Sequence, residues 1–97
     1  MDLTRFAKSL EADVPPDGLS AAAQALWWDA KGRWDRAHQC AQTQNDTHGA
    51  WVHAYLHRKE GDEANAGYWY RRAGSSAPAT SLDEEWQQIA RALLESA

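Results

Sequence analysis

Residues 51–74 read WVHAYLHRKEGDEANAGYWYRRAG, and this stretch decides the fold. It contains two of the six tryptophans and all three tyrosines of the 97-residue chain. An aromatic segment breaks at Gly61, where a left-handed helix stop is expected, and Asp62 can cap a second segment that ends at Gly74. The pattern predicts two antiparallel helices joined by a tight turn. Apolar residues cover more than half the circumference of the first helix, which indicates that it packs on several sides.

Hydrophobic residues recur with helical spacing along the whole chain, and no segment shows the period-two alternation of a strand. The sequence therefore predicts an all-α protein of about six helices, arranged as stacked antiparallel hairpins. Prolines at positions 15 and 16 end the first helix, and the Ser81-x-x-Glu84 capping box begins the last. The predicted organisation is one domain, residues 1–97, made of an N-terminal helix, two hairpins and a C-terminal capping helix: residues 1–14, 19–44, 47–74 and 81–97.

Composition excludes several functional classes. The net charge is −4, and acidic and basic residues are interspersed, so the chain lacks the basic stripe of a nucleic-acid-binding protein. No apolar run approaches the ~18 residues of a membrane span, and residues 1–16 lack the apolar core of a signal peptide. The lone Cys40 cannot form an internal disulfide, which fits a reducing cytosol. We therefore expect a cytoplasmic protein that uses neither nucleic acid nor a membrane as a partner.

The chain also contains an internal repeat. A shift of 29 residues places Gly32 on Gly61. The same shift brings further residues into register: Ala25 on Ala54, Trp27 on Leu56, and Ala37 on Ala66. Small residues at fixed places let paired helices cross closely, and the glycine ends the first helix of each pair. The two hairpins are therefore predicted to be copies of one unit.

The second copy, with Gly61, Asp62, Ala66 and the WYRRA segment of residues 69–73, resembles the end of a Sel-like repeat. Residues 19–74 as a whole resemble the tetratricopeptide family and its Sel-like relatives, although 29 residues is shorter than the ~34 of a tetratricopeptide unit. The resemblance implies a short stacked repeat that binds a protein or peptide. The segments WVHAYLHRKEGD and YWYRRAG are also similar to a group of short bacterial proteins that have no assigned activity. That similarity implies a bacterial cytosolic setting.

Two histidines form the strongest candidate for a chemical site. His53 and His57 are four residues apart on one predicted helix, so their rings project from one face and could share a metal ion. A third ligand could come from His38 or His48. The metalloprotease pattern requires a glutamate directly after the first histidine, where this chain has an alanine. The alternative, that both histidines pack and hydrogen-bond between helices, is the one we favour from the sequence, and no metal or cofactor is predicted.

A polar set on the second hairpin forms the other candidate: Arg58, Asn65, Tyr68, Arg71 and Arg72. Asn65 has poor helix propensity, which indicates a specific hydrogen bond. Arg58 and Arg71 lie beside aromatic residues and could stack or clamp a carboxylate. The alternative is a solvated surface on which arginines cover aromatic edges and pair with nearby acids.

The sequence thus predicts a helical-repeat interaction module that binds a protein or peptide through residues 51–74. The candidate binding residues are His53, His57, Arg58, Asn65, Tyr68 and Arg71. A hypothesis from a different class is a ligand- or metal-binding protein with its site around the two histidines. A homodimer formed through a surface tryptophan is a third hypothesis. The chain lacks a nucleophile elbow and a phosphate-binding glycine loop, which weighs against an enzyme.

Overall fold

The computed structural model describes residues 1–95 and contains six α-helices within them. They are α1 (Leu3–Ser9), α2 (Ala21–Ala30), α3 (Trp34–Gln42), α4 (Thr47–Glu60), α5 (Glu63–Arg72) and α6 (Leu82–Glu95). The described part of the chain has no strand, so the predicted all-α fold of about six helices is confirmed. Positions 96 and 97 of the predicted capping helix lie outside the described residues. None of these six helices is long and apolar enough to cross a membrane.

Side-chain caps set the starts of the helices. Ser20, Asp46 and Asp62 each accept a hydrogen bond from a backbone N–H in the first turn of α2, α4 and α5. Ser81 Oγ accepts the N–H of Glu84 at 3.1 Å and donates to the Glu84 carboxylate at 3.1 Å. The capping roles predicted for Asp62 and for the Ser81–Glu84 pair are therefore confirmed.

The first helix is shorter than the predicted residues 1–14, because α1 ends at Ser9. Beyond it, the N–H of Leu10 bonds to a carbonyl three residues back, which tightens the chain out of the α-helical conformation. The Lys31 ammonium donates hydrogen bonds to the carbonyl oxygens of Leu10 and Ala12, at 2.7 and 2.9 Å. The chain thus leaves the α-helical conformation before the two prolines, where it contacts Lys31 at the C-terminal cap of α2.

The hairpins α2–α3 and α4–α5 turn in the same way. Gly32 and Gly61 have positive φ angles of 78° and 90°, which glycine adopts at little cost. At each turn the glycine N–H bonds to the carbonyl three residues back, and the next N–H bonds to the carbonyl five residues back. These are the bonds of a Schellman motif. The residues that the 29-residue shift aligns are all buried: Ala25, Ala54, Trp27, Leu56, Ala37 and Ala66.

Helix α4 lies at the centre of the fold and contacts α2, α3, α5 and α6. Eight consecutive or near-consecutive positions of this helix are buried, among them His53, Tyr55 and His57. A polar side chain buried in this way costs free energy unless it finds a hydrogen-bond partner. Tyr55 meets this requirement by donating to the carboxylate of Asp29, which is itself buried and also binds Lys59 at 2.9 Å.

A second buried carboxylate joins α4, α5 and α6. Glu85 of α6 is fully buried and accepts hydrogen bonds from side chains on both neighbouring helices. The Tyr70 hydroxyl donates to it at 2.6 Å, Arg58 Nη1 at 2.7 Å and Trp51 Nε1 at 3.1 Å. Arg58 also donates to the carbonyl oxygen of Thr80, in the loop before α6. The charge of Glu85 is thus both paired and hydrogen-bonded, which is the condition for burying it.

The backbone of the loop before α4 lies close to Gly49, and two glycines allow a matched test of this approach. A Cβ added to the buried Gly49 would lie 1.8 Å from the carbonyl oxygen of Gln44. We expect Gly49→Ala to lower the free energy of unfolding by at least about 1–3 kcal/mol, as overpacking does. Gly67 lies within α5, where a Cβ would meet only Arg71 Nη1 at 3.6 Å. Gly67→Ala should therefore raise the free energy of unfolding by about 0.5–1 kcal/mol.

Urea unfolding followed by circular dichroism measures both variants against the wild type. A Gly49→Ala protein as stable as the wild type would contradict the packing of the Gln44 carbonyl against α4. This packing holds the loop that forms one edge of the pocket described next.

Candidate functional site

A pocket of about 660 Å³ lies between the two hairpins. Helices α3, α4 and α5 and the loop of residues 43–46 form its walls. The side chains that give it chemical character are His38, His53, His57, Asn65, Trp69 and Arg72. Its volume falls within the roughly 300–1,000 Å³ of pockets that bind small molecules.

Three histidines meet in this pocket. His53 and His57 project from one face of α4, and both are 6% exposed. His38 arrives from α3, and its ring centroid lies 4.6 Å from that of His53 and 5.2 Å from that of His57. One potential ligand nitrogen of each residue lies within 4.8 Å of the other two. The sequence offered His38 and His48 as possible third ligands. The structure places His38 beside the other two histidines, whereas His48 lines a different pocket beside α2 and α6.

Two tryptophans hold the histidine rings in place. Trp34 stacks on His38 with an interplanar angle of 13° and a centroid distance of 5.0 Å. Trp69 stacks on His53 at 3.9 Å, also with an angle of 13°. The indole N–H of Trp34 donates to the backbone carbonyl of Leu56 at 2.9 Å, which fixes that ring against α4. Packing against Trp34 and Trp69 therefore sets the ring planes of His38 and His53 in the ligand-free protein.

Two of the imidazoles also have polar partners on their Nδ1 atoms. His57 Nδ1 lies 2.6 Å from a carboxylate oxygen of Glu60. His38 Nδ1 lies 2.6 Å from the side-chain amide of Gln42, and a half-turn of that amide would present its carbonyl oxygen to the ring instead. Histidines that bind metals commonly have the second ring nitrogen held by a carboxylate or carbonyl oxygen. Coordination by these two rings would therefore use Nε2, which for His38 requires the Gln42 amide to be turned so that its oxygen accepts the Nδ1 proton.

Burial keeps His38 and His53 in the neutral form that binds metals. Desolvation lowers the pKa of His53 to about 4, and the charges of His38, His57 and Arg72 add to the effect. Burial also lowers the pKa of His38. Both rings are therefore neutral at pH 7, and a neutral imidazole has the free lone pair that coordination requires.

The structure separates the predicted site residues into two groups. His53, His57 and Asn65 line the pocket. The other three do not: Arg58 is committed to Glu85, Tyr68 is 45% exposed, and Arg71 is exposed. The backbone N–H of Asn65 donates to the Asp62 cap at 3.2 Å, a bond that any residue at this position could make. The specific hydrogen bond that its poor helix propensity indicates stays a prediction.

Two pocket residues were not among the sequence-predicted candidates. They are Trp69, which appears above only within the WYRRA segment, and Arg72, which belongs to the predicted polar set but not to the candidate binding residues. Asn65, Trp69 and Arg72 follow one another at i, i+4 and i+7, which places them on one face of a helix. That spacing was the available signal, since Arg71 falls on a different face.

A second group of potential ligands consists of His57, Glu60 and Asp62. Both carboxylates are exposed, and Asp62 already accepts the backbone N–H of Asn65 as the cap of α5. Glu60 is engaged with His57 itself. This group is therefore better described as support for one imidazole than as a separate metal site.

Comparisons with protein-family models, with curated proteins and with solved structures give no match. The resemblance to tetratricopeptide and Sel-like repeats therefore stays a prediction. The function has to follow from the pocket itself, whose distinguishing feature is the convergence of three imidazoles from two helices.

Two arginines of the predicted set now have different expected roles in stability. Removing Arg58 leaves the buried Glu85 carboxylate without its cation, so we expect Arg58→Ala to lower the free energy of unfolding by about 3 kcal/mol. Arg71 is exposed, and Arg71→Ala should change the free energy of unfolding by less than about 0.5 kcal/mol. Chemical denaturation of both variants measures the difference. Equal stabilities would show that the Glu85 network does not hold α4 to α6.

Protonation of the buried imidazoles should destabilise the metal-free protein. The pKa of His53 is lower in the folded chain, at about 4, than the ~6.5 of an unfolded histidine, so the unfolded state binds more protons between these values. The free energy of unfolding should therefore fall by about 2 kcal/mol as the pH drops from 7 to 5. The free energy of unfolding of His53→Asn should fall less over the same pH range. Urea titrations at several pH values in the presence of a chelator measure this, and equal slopes for the two proteins would contradict it.

Proposed function

We propose that this protein binds a divalent transition metal ion through His38, His53 and His57. The observation that carries the proposal is that one ring nitrogen of each histidine lies within 4.8 Å of the other two. Nitrogen ligands of a tetrahedral ion lie about 3.3 Å apart when the metal–nitrogen distance is 2.0–2.1 Å. Side-chain shifts that keep the stacking on Trp34 and Trp69 would have to bring nitrogens that now lie within 4.8 Å of one another to this separation.

The surroundings of the three rings support the same function. A buried cluster of imidazoles serves a metal because neutral nitrogen ligands suit zinc, copper, nickel and cobalt. The Glu60 carboxylate beside His57 and the Gln42 amide beside His38 are the kind of outer partners that orient metal-binding histidines. Three protein ligands leave a fourth position open, whereas a structural zinc site is closed by four. The proposal is therefore an open, three-histidine site.

The metal proposal goes beyond the packing role that the sequence favours for His53 and His57, a role that agrees with the stacking of His53 on Trp69 and the contact of His57 with Glu60. Binding of a protein or peptide partner and formation of a homodimer stay predictions from the sequence, since none of the contacts described above bears on them. The pocket between the hairpins is the surface that the metal proposal uses.

Metal titration of the four histidine variants tests the proposal. We expect the untagged wild type to bind one Zn²⁺ per chain, measured by isothermal titration calorimetry after treatment with a chelator. His38→Ala, His53→Ala and His57→Ala should each weaken binding by more than about 100-fold, because each removes a ligand. Glu60→Gln should weaken it by about 10-fold, because the Nδ1 partner of His57 loses its charge.

The fourth histidine supplies the matched control. His48 lies outside the three-histidine pocket, so His48→Ala should bind Zn²⁺ as the wild type does. Circular dichroism of each variant confirms that it remains folded. Zn²⁺ affinity that falls in His48→Ala but persists in folded His38→Ala protein would overturn the assignment of the site.

A further inference from the structure

Arg72 lines the pocket and is exposed to solvent. Its guanidinium lies 5.0 Å from the Trp69 ring centroid, and its Nη1 donates to the Tyr68 hydroxyl at 3.1 Å. Within residues 1–95 it forms no ion pair with a carboxylate, unlike Arg58, which is paired with Glu85. A guanidinium offers five N–H donors in a planar fork that matches a carboxylate. Most of this donor capacity is available to a ligand.

The acidic residues around the pocket are already engaged. Asp46 accepts the backbone N–H of Gly49 at 2.9 Å and the amide of Gln44 at 3.1 Å, so its charge serves the start of α4. Glu60 is held by His57. A divalent ion held by three imidazoles would bring positive charge into the pocket, and Arg72 adds a further positive charge there. An anionic ligand would complement both charges.

The pocket also has room for such a ligand. Its volume of about 660 Å³ far exceeds what a metal ion and one water molecule occupy, at about 30 Å³ for the water. Asn65 lines it and can orient a polar molecule. The open fourth position of a three-histidine site accepts an oxygen ligand.

We propose that the pocket binds a small carboxylate-bearing molecule whose carboxylate ligates the bound metal at its open position and is held in the pocket by Arg72. The inference rests on the proposed metal site. The carboxylate fits because it supplies one oxygen to the metal, accepts paired N–H donors from a guanidinium and brings a complementary negative charge. No covalent step is involved.

Benzoate and the isosteric, uncharged benzamide are the probes that test this inference. The protein is loaded with Co²⁺, whose visible absorption bands report both metal binding and a change of ligand at the open position. We expect benzoate to shift these bands in a saturable way and benzamide to leave them unchanged. Arg72→Gln should still show the Co²⁺ bands when saturated with the metal, but should bind benzoate at least 10-fold more weakly.

Arg71→Gln is the matched control, because Arg71 adjoins Arg72 in sequence but lies outside the pocket. It should bind benzoate with the wild-type affinity. Benzoate binding that is equal in Arg72→Gln and wild type would overturn the inference, as would a response to inorganic phosphate but not to benzoate. Co²⁺ bands that ignore benzoate would overturn it while leaving the metal proposal standing. The absence of Co²⁺ bands altogether would overturn both.

Discussion

The buried carboxylate of Glu85 is the interaction on which the arrangement of the second hairpin depends. It is fully buried on α6, and its hydrogen bonds come from Trp51 and Arg58 on α4 and from Tyr70 on α5. A charge buried this deeply is tolerated only while its partners stay in place, so the three helices are held in one relative position. That position determines where the other faces of α4 and α5 meet. The pocket is a consequence of this arrangement.

Helix α4 divides its polar side chains between two tasks. Arg58 and Trp51 face α6 and satisfy Glu85, while His53 and His57 face α3 and α5. The first group stabilises the fold by pairing a buried charge. The second group is buried among imidazole and indole rings, and desolvation lowers the pKa of His53, so that ring is neutral at pH 7. The burial that makes α4 the centre of the fold therefore leaves His53 in the form that the proposed metal site requires.

Much of the fold was predictable because it depends on local signals. Helical periodicity predicted about six helices. The glycines at positions 32 and 61, which adopt positive φ angles, indicated the turns of the two hairpins. The site was only partly predictable, since its contacts join residues distant in the chain. Arg58 looked like a binding residue because its partner Glu85 lies 27 positions away on another helix. The choice of His38 over His48 likewise depends on how α3 packs on α4, which no spacing in the sequence reveals.

The metal site is tested most directly by the crystal structure of the Zn²⁺-loaded protein, with an anomalous difference map calculated from data collected at the zinc absorption edge. The three-histidine site requires one strong peak per chain, about 2.0–2.1 Å from a ring nitrogen of each of His38, His53 and His57. A peak at Glu60 and Asp62 instead, or no peak within the pocket between the hairpins, would contradict it.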